Sequence, residues 1–144
     1  MRLGAKRLIE NCSSGGGRLD YGMLYYFPQT WASDNTDGFD RQAIQDGSSY
    51  LFHPYQLTGH VSVSPNHQTQ RLTPFQTRLD LASATNMGYE LNILEFSENE
   101  EKMVLEHISE YKKLRPLIKN GRFYRLKSPF TSNQTAWLFE SPDK

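Results

Sequence analysis

Apolar residues recur along this chain in short bursts of two to five, each followed by a polar, glycine-rich or proline-bearing stretch. Lys6-Arg-Leu-Ile-Glu10 predicts a short strand running into Asn11-Cys-Ser-Ser-Gly-Gly-Gly17, where three consecutive glycines rule out regular structure. Leu24-Tyr-Tyr-Phe27 and Thr30-Trp-Ala32 predict strand-like pieces divided by Pro28. Thr36 is the expected N-cap of a helix running through Arg41 and Ile44 to about Gly47. Ser49-Tyr-Leu-Phe52 is a further apolar run, closed by His53-Pro54, and Gly59-His-Val-Ser-Val63 alternates as a half-buried strand does before Pro65. Thr73-Pro-Phe-Gln76 predicts a sharp helix start, with Thr73 as N-cap, Pro74 in the first turn and Gln76 completing a capping box. That helix should reach about Asn86, and Tyr89-Glu-Leu-Asn-Ile93 should be the next strand. Ser97-x-x-Glu100 is a second capping box, after which Leu105, Ile108, Tyr111, Leu114 and Leu117 recur at helical spacing. Asn120-Gly121 should stop this helix, and Pro116 should kink or tighten its last turn. Phe123-Tyr-Arg-Leu126 and Ala136-Trp-Leu-Phe139 predict two strands joined by a polar loop.

Strand, loop and helix therefore alternate three or four times before the long helix, and a β tail follows. Such alternation implies parallel β/α units. The expected class is α/β, with about half of a (β/α)8 barrel over residues 1–120 and the beginning of a β-strand C-terminal domain over 121–144. At 144 residues the chain is short for a complete barrel, which needs about 250. It carries no internal repeat and no low-complexity segment.

Charge and composition narrow the function classes. Lys plus Arg and Asp plus Glu both number 16, so the chain has no basic excess to favour nucleic acid or an anionic membrane. No apolar run approaches the roughly 18 residues of a membrane span. A single cysteine, Cys12, excludes an intrachain disulfide, and the first residues lack the form of a secretory leader, so a reducing, cytoplasmic setting is expected. A mean hydropathy of −0.68 is polar for a domain of this size and points to an uncovered surface. Aromatics make up 12% of the residues, enough both to fill a core and to stack on the flat C–H faces of sugar rings.

In β/α barrels, chemistry sits on the loops that follow strand C-termini. Asp34 lies on such a loop, between a strand and a helix, where a carboxyl is placed to act as a general acid or simply to cap the helix. Asp37, expected in the first helical turn, is the better partner for the helix dipole, which frees Asp34. The glycine-rich loop matches neither Gly-x-Gly-x-x-Gly nor the P-loop, so it does not indicate a nucleotide. Cys12 has no histidine at a recognisable spacing and reads as a buried, inert thiol rather than a nucleophile. His53, His60 and His67 are evenly spaced, but Pro54, Gly59 and Pro65 prevent one helix from presenting them together, so no metal site is expected.

Two loops together carry a resemblance. Glu10-Asn-Cys-Ser-Ser-Gly-Gly-Gly-Arg-Leu-Asp20 and Trp31-Ala-Ser-Asp-Asn-Thr-Asp37 resemble the paired signatures of α-galactosidases of glycoside hydrolase family 36. Gly59-His-Val-Ser-Val-Ser-Pro-Asn-His67, Gly88-Tyr-Glu-Leu91 and Phe123-Tyr-Arg-Leu-x-Ser-Pro129 look like further family segments in the same order. The resemblance implies retaining hydrolysis of terminal α-galactosides such as melibiose and raffinose, by two carboxylates about 5 Å apart, without cofactor or metal. It implies Asp34 as the general acid/base, Cys12 as a galactose contact and Ser14 as a residue whose backbone lines the pocket. Trp31 is our own addition, as an apolar wall. The family's nucleophile belongs to an upstream Lys-x-Asp-x-Asn motif that this chain lacks. Leu19 stands where phenylalanine is common, Tyr21 where proline is, and family sequence begins only near Leu8, so Met1 is expected to be an internal start. The expectation is a catalytically silent portion of an α-galactosidase whose partners are α-galactoside sugars. A non-catalytic galactoside-binding module, an inactive remnant, galactosyl transfer to another sugar and a homo-oligomeric full-length enzyme all stay open.

Overall fold

The structure, a computed structural model, describes residues 8–143. Four strands, β1 (Glu10–Asn11), β2 (Gln29–Trp31), β3 (Leu57–Ser62) and β4 (Asn86–Glu90), form one all-parallel sheet in sequence order. Between them lie α1 (Tyr21–Leu24), α2 (Asp40–Ser48) and α3 (Phe75–Ser83), and the long α4 (Glu98–Asn120) follows β4. An antiparallel hairpin, β5 (Arg122–Lys127) and β6 (Ala136–Glu140), ends the chain. The α/β class, the parallel sheet and the terminal pair of strands agree with the sequence pattern.

The two faces of the sheet differ in chemistry because side chains alternate along each strand. One face carries Val61, Met87 and Tyr89, and Val61 packs on Leu79 and Ala82 of α3 with Phe75 and Met103 alongside. Tyr111 of α4 reaches the same layer, accepting from the Met87 N–H at 3.1 Å and donating to the Thr85 carbonyl at 2.8 Å. The other face carries a polar rung. Glu10 Oε2 accepts from Gln29 Nε2 at 2.9 Å and from the Thr58 hydroxyl, and Asn86 Nδ2 donates to Gln29 Oε1. All four strands are thereby tied together by side chains on the helix-free face.

Several boundaries differ from expectation, each for a local reason. Lys6 and Arg7 lie outside the described residues, and β1 is confined to Glu10–Asn11. Leu24–Phe27 is not a strand: Asp20 caps α1 by accepting from the Met23 N–H at 2.9 Å, and the N–H groups of Tyr26 and Phe27 both donate to the Met23 carbonyl. Thr36 does not cap α2, and Asp37 is not within its first turn. Asp37 Oδ1 accepts from the N–H groups of Phe39 and Asp40, so Asp37 caps the helix from outside, while the Thr36 hydroxyl accepts from Asn66. The Thr73 capping box is absent. The Thr73 N–H donates to the Ser64 hydroxyl, Gln76 bonds Asp80, and α3 starts after Pro74 without a side-chain cap. Helix α3 stops at Ser83, short of Asn86, because the Thr85 N–H and hydroxyl both fold back on the Ala82 carbonyl. Asn86 then pairs with Thr58, which sets β4 three residues earlier than expected.

The Ser97–Glu100 capping box forms on both sides, and α4 continues through Pro116 to Asn120. Its packed face runs through Met103, His107, Tyr111 and Ile118, so of the expected series Tyr111 is buried while Leu105 is 70% exposed. The polar His107 in that face concealed it from an apolar-periodicity reading.

Candidate active site

The C-terminal ends of the four parallel strands open into one cleft. Glu10 and Cys12 line it from β1, Trp31 and Asp34 from β2, His60 from β3 and Glu90 from β4. Thr36 and the loop residues His67 and Gln68 complete its wall. Three of the four residues singled out in the sequence, Asp34, Cys12 and Trp31, therefore converge. Ser14 sits at the exposed tip of the neighbouring turn, outside the lining residues, with φ 49°.

Asp34 is placed by a small number of local contacts. Trp31 is buried at the end of β2, and its indole Nε1–H donates to Asp34 Oδ1 at 2.9 Å. The indole is therefore a hydrogen-bond donor to the candidate acid. The glycine-rich turn explains itself at the same point. Gly15 has φ +64°, and a Cβ there would lie 2.7 Å from the Asp34 nitrogen and 2.9 Å from its Cγ. Gly16 has φ +96°, and a Cβ there would collide with the Ala32 carbonyl oxygen. Both the left-handed backbone and the close approach to the Asp34 loop require glycine.

Cys12 is exposed, contrary to the buried thiol expected. It follows an edge strand with a neighbour on one side only, so nothing among the described residues covers it.

Sequence reasoning missed four residues here. His60 stacks near Trp31, with ring centroids 4.8 Å apart, and its Nδ1 lies 3.4 Å from Glu90 Oε2. Glu90 stands at a strand C-terminus, the position that could have marked it, and Glu10 stands on the two-residue β1 just before the glycine-rich loop. Arg41, on the first turn of α2, had no such signal. Its guanidinium carbon lies 4.3 Å over the Trp31 ring, Nε donates to the Asn35 carbonyl at 2.8 Å, and Nη2 donates to the Ser33 carbonyl at 2.5 Å. Burial brings this guanidinium down to about 10, and the charges of Glu90 and Asp34 act in the opposite direction.

Of the three evenly spaced histidines, His60 and His67 line the cleft, whereas His53 Nε2 lies 3.2 Å from the Gly121 carbonyl. Among the described residues, no three His, Cys, Asp or Glu side chains are grouped to hold a metal ion. No helix there is long and apolar enough to cross a membrane. The site offers one carboxyl with a fixed donor, two further carboxylates, two imidazoles and an indole in an open cleft. That set suits proton transfer to a polar, ring-shaped substrate.

Residues 5–121 match the family model described as Melibiase. Alpha-galactosidase 1 of Pediococcus pentosaceus is 52% identical over 137 residues, which is 95% of this chain and 19% of that relative. A crystal structure of the family 36 α-galactosidase AgaA of Geobacillus stearothermophilus in complex with raffinose is 48% identical, with a TM-score of 0.92 over 94% of this chain and 19% of that one. A second AgaA structure, in complex with stachyose, matches at the same identity and TM-score. The chain thus spans about a fifth of the length of the curated relatives it matches.

Proposed function

Because the chain belongs to the Melibiase family, we propose that it is the C-terminal part of the catalytic barrel of a retaining α-galactosidase, with Asp34 as general acid/base. Residues 1–120 would be the barrel portion, and 121–144 the beginning of the C-terminal β domain. One observation carries the reading: Asp34 stands in the cleft at the strand C-termini with one carboxylate oxygen held by Trp31 Nε1–H at 2.9 Å. That leaves the other oxygen for a glycosidic oxygen.

In this reading, a terminal α-galactoside enters the cleft and the Asp34 carboxyl gives its proton to the leaving oxygen as the anomeric C–O bond breaks. A nucleophilic carboxylate from outside this chain takes the anomeric carbon. The Asp34 carboxylate then removes a proton from the incoming water, which releases galactose. Cys12 and Trp31 would contact the sugar, and Ser14 would support the pocket only through the turn that presents Gly15. The raffinose and stachyose held by AgaA support galactosides as the substrate class. The nucleophile motif is absent from these residues, so the chain by itself would hold the acid/base without turning substrate over.

The test places this chain in the Pediococcus enzyme in exchange for the matching segment, with and without Asp34→Ala. With Asp34 as the acid, kcat/KM on raffinose falls by about 10²–10⁴-fold, whereas an aryl galactoside with an activated leaving group loses far less. Equal losses on both substrates would refute the assignment. Sugar binding without turnover by the unmutated hybrid would favour a galactoside-binding module instead.

A further inference from the structure

Arg41 is 3% exposed, yet it forms no ion pair with a carboxylate among the described residues. It donates to the carbonyls of Ser33 and Asn35, the residues on either side of Asp34. Its guanidinium carbon lies 4.3 Å over the ring of Trp31, the residue whose indole N–H donates to Asp34. The remaining amino group, Nη1, is buried and has no hydrogen-bond partner among the described residues. A buried guanidinium with an unused donor is costly to keep in a fold. Lysine would not reproduce these contacts, because a compact ammonium lacks the spread donors and delocalised charge of a guanidinium.

We propose that Arg41 is a positioning residue for the Asp34 acid, acting as a clamp on both supports of that carboxyl. Fixing the Ser33 and Asn35 carbonyls pins the backbone that carries Asp34. Stacking on Trp31 holds the indole at the angle from which Nε1–H meets Oδ1. With its guanidinium carbon 4.3 Å from the Trp31 ring centroid, the Arg41 charge is placed against the indole π-face. The proposal rests on the reading of Asp34 as general acid. It adds that the acid's aim is set from the first turn of the following helix.

The experiment uses the same hybrid with Arg41→Lys, Trp31→Phe and the double variant, assayed on raffinose and on an activated aryl galactoside. Arg41→Lys is expected to lower kcat/KM on raffinose by about ten- to a hundredfold, as a misplaced catalytic group does, with a much smaller loss on the aryl substrate. The ratio of the two losses is unaffected by partial unfolding, which removes both activities equally. The double variant should lose less than the product of the single losses, since both changes release the same carboxyl. Equal losses on both substrates, or single losses that simply multiply, would overturn the clamp. The Asp34→Ala control separates this from a wrong acid: there the substrate split would be missing from Asp34→Ala itself.

Discussion

At the scale of single residues, polar side chains take positions that hydropathy reserves for apolar ones. His107 is the clearest case. It lies in the packed face of α4, with Nδ1 2.6 Å from the Tyr89 hydroxyl and Nε2 2.6 Å from the Ser83 hydroxyl. Burial, the main cause, holds its imidazole below the ordinary 6.5, while the Leu79 carbonyl and Asp80 act the other way. The same surroundings push the Tyr89 phenol up to about 12. Since the folded imidazole titrates lower than the unfolded one, the unfolded chain binds more protons in this range. Stability therefore falls as pH drops from the ordinary value through the lowered one. His107→Gln should flatten that fall, read as the change in urea midpoint between about pH 7 and about pH 5. An unchanged slope would place the titration elsewhere. Asp34 and Cys12 were legible because loop position and a family signature both marked them, and Trp31 because it is an aromatic residue at the head of the Asp34 loop. Arg41 was not, because what brings it to the cleft is a helix turn whose partners no local pattern marks.

At the scale of elements, caps decide where helices begin, and here one carboxylate does this for α2. Asp37 is fully buried and accepts from Phe39 and Asp40 N–H, from the Thr69 hydroxyl and from Arg71. Burial alone would raise its carboxyl, and the bonds from Thr69, the Asp40 and Phe39 N–H groups and Arg71 overcome it, holding the group below 3.8. Its contribution is thus present above that value and lost as pH falls through the lowered one. Asp37→Ala should cost about 1–2 kcal/mol from the cap alone. It should also free the loop bearing His67 and Gln68, because Thr69 and Arg71 anchor it here. Chemical denaturation measures the first effect; amide exchange at residues 66–71 measures the second, and unchanged protection there would dismiss the anchoring role. The Ser97 box was readable because both of its partners are local. The Thr73 box was not, since Ser64, nine residues away, takes the Thr73 N–H.

At the scale of the molecule, the terminal hairpin is docked on α2 by polar bonds around an aromatic group. Trp137 Nε1–H donates at 2.8 Å to Oδ1 of Asp46, which is fully buried, and the Thr135 hydroxyl donates to Gln42 at 2.8 Å. Arg125 bonds the hydroxyl and carbonyl of Ser49, while Trp137 packs on Phe123 with centroids 6.2 Å apart. Trp137→Phe keeps the ring but leaves a buried carboxylate oxygen without its donor, so it should cost about 1–3 kcal/mol in a urea titration. A loss within a few tenths would mean that Ser128, 3.4 Å from the other oxygen, carries the carboxylate alone. The amino-acid sequence by itself determined the alternation of strands and helices from β2 onward, the parallel class, the helix stop at Gly121 and the loop bearing Asp34, because each depends on neighbours in the chain. Tertiary structure alone decided the register of β4, the exposure of Cys12, the polar rung across four strands and the seating of Arg41 against Trp31. Those features arise where partners 10 to 57 residues apart must satisfy one another's hydrogen bonds, and chain proximity carries no information about such partners.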